Sequence, residues 1–130
     1  MEVAAGLLFR EGRLLLTRRP AGAHLAGLWE FPGGKREPGE SWEQCLAREL
    51  REELGIEVRV LDCVFDHTHA YPDRTIRLRF YRCRLERGEP AGLDGQELLW
   101  ARREDLAGLE FPPADASLIE RLRAEASWWT

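Results

Sequence analysis

The stretch from Gly34 to Ile56, GKREPGESWEQCLARELREELGI, is the part of the chain that decides the fold. Ser41, followed three positions later by Gln44, forms a capping box, which predicts that a helix begins there. The buried stripe of this helix consists of leucines at intervals of four: Leu46, Leu50 and Leu54. Gly55 then suits the left-handed residue at which such a helix ends.

The same helix carries three glutamates, Glu49, Glu52 and Glu53, within an arc of about 100° on one face. Like charges at these spacings destabilise an isolated helix by roughly 0.2–0.5 kcal/mol per pair, although Arg48 offsets part of this through Glu52. Such a face is either solvated charged surface, which is common in helices rich in Glu and Arg, or a site for a hard divalent cation, which prefers oxygen ligands. Charge alone leaves both interpretations open.

The segment before the helix favours the cation. The glycines of Pro32-Gly33-Gly34 permit an unusual backbone path on which a carbonyl oxygen faces a metal ion. Glu40 lies just outside the helix and within reach of the same ion. The sequence therefore predicts an acidic metal site between this glycine segment and the glutamate face of the helix.

The spacing of these residues resembles the Nudix box. Gly34 is followed after five residues by Glu40, and after seven more by the run RELREELGI at positions 48–56, which matches the motif at every defined position. The resemblance implies an α/β architecture, the Nudix fold, in which a mixed β-sheet is sandwiched between α-helices. It also implies hydrolysis of a nucleoside diphosphate that is linked to another group.

Metal ligands and catalytic residues follow from the same resemblance. It implies Mg²⁺, with Mn²⁺ as a substitute, held by five residues: Gly33 through its carbonyl, Glu49, Glu52, Glu53 and Asp94. Arg48 would complete the catalytic set by orienting the glutamates, and Glu40 would support the site through water or a second ion. Asp94 stands where the family's MutT branch usually has a glutamate that binds metal or orients the attacking water. The cation would lower the pKa of a water molecule and neutralise charge on the phosphate oxygens.

Outside the box, the chain resembles the MutT branch, which converts oxidised nucleoside triphosphates such as 8-oxo-dGTP to the monophosphate and pyrophosphate and so sanitises the nucleotide pool. Its segments occur here in the same order, among them EFPGGK at 30–35, YPDR at 71–74 and FPPAD at 111–115. The resemblance implies substrate contacts from seven residues: Arg19, His24, Phe31, Lys35, Asp73, Arg74 and Asp115. Phe31 also fits a core position from its apolar side chain alone.

Asp115 is the main departure from this branch, because the best-known MutT enzymes carry there an asparagine that reads oxidised guanine. Asparagine donates and accepts hydrogen bonds, whereas an ionised aspartate only accepts. CTP pyrophosphohydrolases, which also act on modified cytidines, resemble the chain in the box and carry Pro-Ala-Asp at this point. The main expectation is hydrolysis of 8-oxo-dGTP. The alternatives are CTP or modified cytidine triphosphates, and a Nudix domain kept as a binding module, which the intact glutamate set disfavours.

Composition and charge limit the class of protein. The chain has 130 residues, 44% hydrophobic and 32% charged, which indicates one domain over residues 1–130. A net charge of -4 argues against a nucleic-acid polymer as partner, and no apolar stretch is long enough to span a membrane. Cys45, Cys63 and Cys83 lack metal-site spacing and fit small core residues in a reducing compartment. A cytoplasmic protein, monomeric or weakly dimeric, is expected.

Hydrophobic patterns predict the remaining elements. Val3–Phe9 and Leu14–Arg18 form a hairpin around a glycine turn. Two long strands follow the helix, at Glu57–Ala70 and Thr75–Leu85. A short strand at residues 98–101 and a helix at residues 114–126 close the domain.

Overall fold

The computed structural model of the protein describes residues 1–20, 22 and 27–130. In these residues a seven-stranded sheet is formed by β1 (Glu2–Arg10), β2 (Arg13–Arg18), β3 (Trp29–Glu30), β4 (Gly33–Lys35), β5 (Glu57–Ala70), β6 (Thr75–Arg87) and β7 (Glu97–Ala101). The α-helices are α1 (Trp42–Leu54) and α2 (Ala116–Ala124), and short 3₁₀ helices lie at Arg103–Gly108, Pro113–Asp115 and Ala126–Trp129. None of the helices in the described ranges is both long and apolar enough to cross a membrane.

Strand β1 lies at the centre of the sheet. The strand order is β3-β2-β1-β6-β5, with β4 also paired to β1 and β7 to β2. β1 runs parallel to β6, so that Glu2 lies opposite Arg77, whereas the other pairs are antiparallel. Glu11 and Gly12 both have positive φ, 52° and 76°, which is the geometry of a two-residue type I′ hairpin turn. The predicted first hairpin and the mixed sheet are confirmed.

The sheet separates two hydrophobic cores. On one face Leu8 of β1 packs with Leu46 and Leu50 of α1. On the other face Leu7 packs with Leu118 of α2. Because successive side chains of a strand point to opposite faces, β1 is buried on both sides. The predicted arrangement of a mixed sheet between helices is therefore confirmed.

Helix α1 begins and ends where its caps predict. The Ser41 hydroxyl accepts a hydrogen bond from the Gln44 N–H at 3.0 Å, and the Gln44 side-chain oxygen accepts one from the Ser41 N–H at 2.8 Å. Gly55 is left-handed, with φ 69°, and its N–H donates to the Arg51 carbonyl at 3.0 Å. These local contacts fix which residues of α1 stand beside β4.

The closing helix is shorter than predicted. The prediction covered residues 114–126, but the α-helix covers Ala116–Ala124, with 3₁₀ turns before and after it. The Pro112-Pro113 pair lacks backbone N–H groups and so delays the regular helix. At the other end, the buried Trp129 side chain donates from Nε1 to the Leu122 carbonyl at 3.0 Å. This contact folds the end of the chain back onto α2.

The prediction of a core position was wrong for Cys63. Cys45 and Cys83 are buried, but Cys63 is exposed on β5. The pairing of β5 with β6 is irregular between Val60 and Phe65. A β-bulge changes which side chains of a strand face the core, so a strict alternation cannot locate them.

Candidate active site

A cavity of about 550 Å³ is bounded by residues of β1, β3, β4, β6, α1 and the turn before α2. Its lining includes most of the predicted site residues: Arg19, Phe31, Gly33, Lys35, Glu53, Arg74, Asp94 and Asp115. Asp73 is exposed and lies outside this lining, because the turn closed by the Tyr71 N–H and the Arg74 carbonyl, 2.7 Å apart, brings those two residues to the cavity instead. The predicted substrate residue His24 lies outside the described residues.

The backbone of β4 comes very close to the glutamate face of α1. A Cβ atom at Gly34 would lie 2.6 Å from both carboxylate oxygens of Glu49. The backbone N–H of Gly33 is near enough to the Glu53 carboxylate to lower its pKa, against the larger effect of burial. A side chain at Gly33 would also lie 2.7 Å from the Cα of Ala5 on β1. The absence of side chains at Gly33 and Gly34 therefore allows β4 to lie this close to β1 on one side and to the Glu49 carboxylate on the other.

Burial disfavours the ionised form of two carboxylates on α1, those of Glu49 and Glu53. Burial raises the pKa of Glu49, against the opposing effect of Arg48. Burial also raises the pKa of Glu53 to about 7, and the negative charge of Glu49 adds to the shift, while the Gly33 N–H opposes it. Carboxylates that are desolvated and repel one another gain most from a cation placed between them.

Arg48 joins the carboxylates of the loop to those of the helix. Its Nε and Nη2 donate to Glu40 at 3.0 and 2.8 Å, and its Nη1 donates to Glu49 at 3.0 Å and to Glu52 at 3.2 Å. The Arg48 guanidinium, together with a backbone N–H, holds the pKa of Glu40 at about 2. Arg48 thus has the contacts that an orienting residue requires. Its catalytic role, and a role for Glu40 through water or a second ion, stay predictions.

The donor set fits a divalent cation, although no group of three His, Cys, Asp or Glu side chains forms a complete cation site within the described residues. Glu49 and Glu52 are hydrogen-bonded to Arg48, and Glu52 is largely exposed. Glu53 and Asp94 both line the cavity, and the charge of Asp94 contributes to the raised pKa of Glu53. Oxygen ligands gathered around a glycine backbone suit Mg²⁺ or a similar hard ion. The ligand assignments themselves stay predictions.

The lining of the cavity also includes the aromatic side chain of Phe31 and a buried acid, Asp115. Phe31 is 7% exposed, stacks on Phe111 at 5.7 Å and meets Phe80 edge-on at 5.6 Å. It is therefore both a core residue and part of the cavity wall. Asp115 is 7% exposed, and its burial raises its pKa to about 7, with a further contribution from the charge of Glu30. The cavity lining therefore combines an aromatic side chain with a buried acid, as the recognition of a nucleobase requires.

Sequence reasoning missed Glu30 as a site residue. Glu30 lines the cavity and accepts a hydrogen bond from Arg19 Nε at 3.1 Å. Its charge raises the pKa of both Glu53 and Asp115, so it lies near both carboxylates. The only sequence feature that could have indicated this role is the position of Glu30 directly before Phe31 in the EFPGGK segment. A strand of two residues has no periodic pattern from which the direction of its side chains could be predicted.

Replacement of Gly34 by alanine is expected to lower the turnover number about tenfold or more, by displacing the Glu49 carboxylate. Because a carboxylate at the end of a flexible side chain can move away, we expect the melting temperature to change little. Steady-state kinetics and a thermal melt of the same sample measure the two effects. Gly108→Ala is the matched control, since no atom lies within 4 Å of a Cβ there. Equal turnover in the two variants would contradict a role for the close approach at Gly34.

The chain is similar to known proteins over nearly its whole length. A family model described as NUDIX domain matches residues 4–121. A CTP pyrophosphohydrolase of Escherichia coli K12 is 42% identical over 124 residues, which cover 95% of this chain and 92% of that protein. An 8-oxo-dGTP diphosphatase of Haemophilus influenzae is 42% identical over 126 residues, covering 96% and 93%. The solution structure of the E. coli ORF135 protein matches with a TM-score of 0.82 at 41% identity, over 95% of this chain and 89% of that one.

Proposed function

Because this chain belongs to the NUDIX domain family and is a Nudix hydrolase, we propose that it converts nucleoside triphosphates to the monophosphate and pyrophosphate, with 8-oxo-dGTP as its main substrate. One observation carries the proposal: a single cavity is lined by Gly33, Gly34 and the desolvated carboxylate of Glu53, and also by Phe31 and the buried Asp115. A triphosphate and its base need these two environments side by side. We place this reaction in the cytoplasmic nucleotide pool.

Nudix hydrolases depend on a divalent cation, and we propose Mg²⁺ for this one, with Mn²⁺ as a substitute. The residues that would hold it are Gly33, Glu49, Glu52, Glu53 and Asp94. Bound there, the ion supplies charge neutralisation on the phosphate oxygens and an acidified water. It also removes an electrostatic obstacle, because an acidic site cannot hold a polyanion without cations between them.

The basic residues of the cavity have separate tasks in this proposal. Lys35, at the end of β4, lines the cavity next to the two glycines and would contact the phosphates. Arg19 donates a hydrogen bond to Glu30, and Arg74, which also lines the cavity, lies over the Tyr71 ring at 5.7 Å. These two arginines would flank the nucleoside, while the phosphates lie between Lys35 and α1.

The protonation of Asp115 decides the base in this proposal. A protonated Asp115 donates to O6 of 8-oxoguanine and accepts from its N7–H, a pair of contacts that guanine cannot match because its N7 carries no proton. Since burial holds the pKa of Asp115 at about 7, a large protonated fraction is present at neutral pH.

CTP is the second candidate. An ionised Asp115 would instead accept from an exposed amino group, such as that of cytosine. A relative at 42% identity carries the name CTP pyrophosphohydrolase. The choice between 8-oxo-dGTP and CTP therefore depends on whether the Asp115 carboxyl is protonated.

Hydrolysis of a panel in ¹⁸O-labelled water tests the reaction and the substrate together. The panel holds 8-oxo-dGTP, dGTP, CTP and 2-hydroxy-dATP, with Mg²⁺. We expect the highest kcat/KM for 8-oxo-dGTP and the label in pyrophosphate, because water attacks the β phosphorus. Label in the nucleotide would show attack at the α phosphorus, and a preference for CTP would replace the leading substrate by the alternative. A chain that binds these nucleotides without cleaving them would be a binding module.

A further inference from the structure

The loop between β6 and β7 is tied to the carboxyl end of α1. The N–H of Ala91 donates to the Leu54 carbonyl at 3.1 Å, and the N–H of Leu93 donates to the Glu53 carbonyl at 3.2 Å. The last carbonyls of a helix have no partner within it, so these bonds satisfy two of them and anchor the loop. Asp94 directly follows Leu93, so the hydrogen bond of Leu93 to α1 also limits where the backbone of Asp94 can lie.

Gln96 closes the loop through both ends of its side-chain amide. Its Nε2 donates to the Glu53 carbonyl at 3.2 Å, and its Oε1 accepts from the Asp94 N–H at 2.8 Å. One amide therefore connects the backbone of Glu53 directly with the backbone of Asp94. All three residues line the cavity.

The backbone between these residues is tightly constrained. The N–H of Gly95 donates to the Gly92 carbonyl at 3.0 Å, and Gly95 is left-handed with φ 79°. A Cβ at Gly92 would lie 3.2 Å from the carbonyl carbon of Gln96. The loop is thus a closed turn with Gln96 at its base, and it has little freedom to place Asp94 elsewhere.

We propose that Gln96 is the positioning residue that fixes Asp94 at the cation site beside Glu53. The inference rests on the proposed function, in which both carboxylates serve one divalent cation. An aspartate is one methylene shorter than a glutamate, so its reach is set by where its backbone lies. Gln96 sets that backbone position by linking it to the helix that carries the other ligands.

The test is a double-mutant cycle in which the affinity for Mn²⁺ is measured without substrate. Electron paramagnetic resonance of the free ion gives the fraction of Mn²⁺ that is bound. We expect Gln96→Met, which removes both hydrogen bonds at similar size and without new charge, to weaken Mn²⁺ binding about tenfold. In the Asp94→Asn background the same change should have no further effect, because Gln96 acts through the lost carboxylate. Kinetics should show a fall in kcat and a higher Mg²⁺ requirement, with KM for the nucleotide unchanged.

Gln44→Met is the matched control. It makes the same chemical change at the opposite end of α1, where Gln44 belongs to the capping box. We expect it to lower the melting temperature and leave Mn²⁺ binding unchanged. If Gln96→Met does not fold, Gln96→Asn carries the same prediction, because the shorter amide cannot span both backbone groups.

Two results with Gln96→Met would overturn the inference, and Glu53→Gln tells its failure apart from a failure of the proposed function. Wild-type Mn²⁺ affinity in Gln96→Met would show that the residue only supports the loop. An equal loss with and without the Asp94 carboxylate would show that Gln96 acts through the helix end alone. If Glu53→Gln binds Mn²⁺ as the wild type does, the proposed cation site is wrong and this inference fails with it. If only Glu53→Gln loses the ion, the site stands and the inference alone is wrong.

Discussion

Replacement of Glu53 by glutamine is expected to lower the turnover number by about 100-fold or more at saturating Mg²⁺, since it removes a charged ligand from the proposed cation site. Glu52→Gln is expected to have a similar effect, because its exposed carboxylate would turn from Arg48 to the ion. Glu120→Gln, an exposed change on α2, is the control and should retain wild-type turnover. Near-normal activity in either of the first two variants would sink the assignment of the metal site.

The same Glu53 substitution is expected to stabilise the metal-free fold at alkaline pH. The folded pKa of Glu53 is raised from 4.5 to about 7, so its carboxyl favours the folded state when protonated. Stability from this group is therefore fully present below pH 4.5 and is lost as the pH rises through about 7. After allowance for solvent screening of a partly exposed group, the loss is about 1–2 kcal/mol. Urea unfolding at pH 5 and pH 8 without divalent cations should show a gain for Glu53→Gln only at pH 8.

Replacement of Asp115 by asparagine is expected to keep or sharpen the preference for 8-oxo-dGTP over dGTP, and to reduce any activity on CTP or 2-hydroxy-dATP about tenfold or more. The amide offers a donor and an acceptor at every pH, whereas ionised Asp115 offers only acceptors. Discrimination can be large because the wrong base leaves a buried polar group without a partner. Comparison of kcat/KM for the four nucleotides in both proteins measures it. Equal values in the two proteins would show that Asp115 does not touch the base.

The pH dependence separates the two states of Asp115. In the wild type, kcat/KM for 8-oxo-dGTP is expected to fall as the pH rises through about 7, because Asp115 loses the proton that it donates to the base. Asp115→Asn lacks this loss. The ratio of the two proteins across the same pH range removes the titration of the glutamates, which both share. A flat ratio would mean that the charge of Asp115 is irrelevant to this substrate.

Helix α1 was predictable because its determinants are local. The Ser41–Gln44 capping box, the leucine stripe and Gly55 lie within one helix length, so the sequence pattern and the three-dimensional contacts coincide. The long strands were predictable for a similar reason, because each is a continuous run of 13 or 14 residues whose pattern indicates a strand, even though a bulge changes which side chains face the core. The glutamate face of α1 followed from spacing, whereas the predicted role of the glycine segment as a metal ligand stays a prediction.

The rest depends on contacts between distant parts of the chain. Strand β4 consists of two glycines and Lys35 and has no side-chain pattern, yet it brings the backbone to Glu49. Glu30 becomes a site residue only because two-residue strand β3 pairs with β2. The two hydrogen bonds of the Gln96 side chain, to the Glu53 carbonyl and the Asp94 N–H, require that the loop before β7 docks on α1. No local sequence pattern predicts these contacts, because each depends on how the sheet packs.

The parallel pairing of β1 with β6 has a consequence for the order in which the protein folds. Glu2 pairs with Arg77, so closing this contact costs the entropy of a loop that spans more than half of the chain. The β1–β2 and β5–β6 hairpins and α1 form from neighbouring residues, on timescales of about a microsecond. On the ribosome, the segment with the glutamates emerges before β6, while the centre of the sheet is still incomplete. Helix α1 therefore acquires its final support only once β6 has been synthesised. We expect any slow folding phase to arise from the docking of β1 on β6.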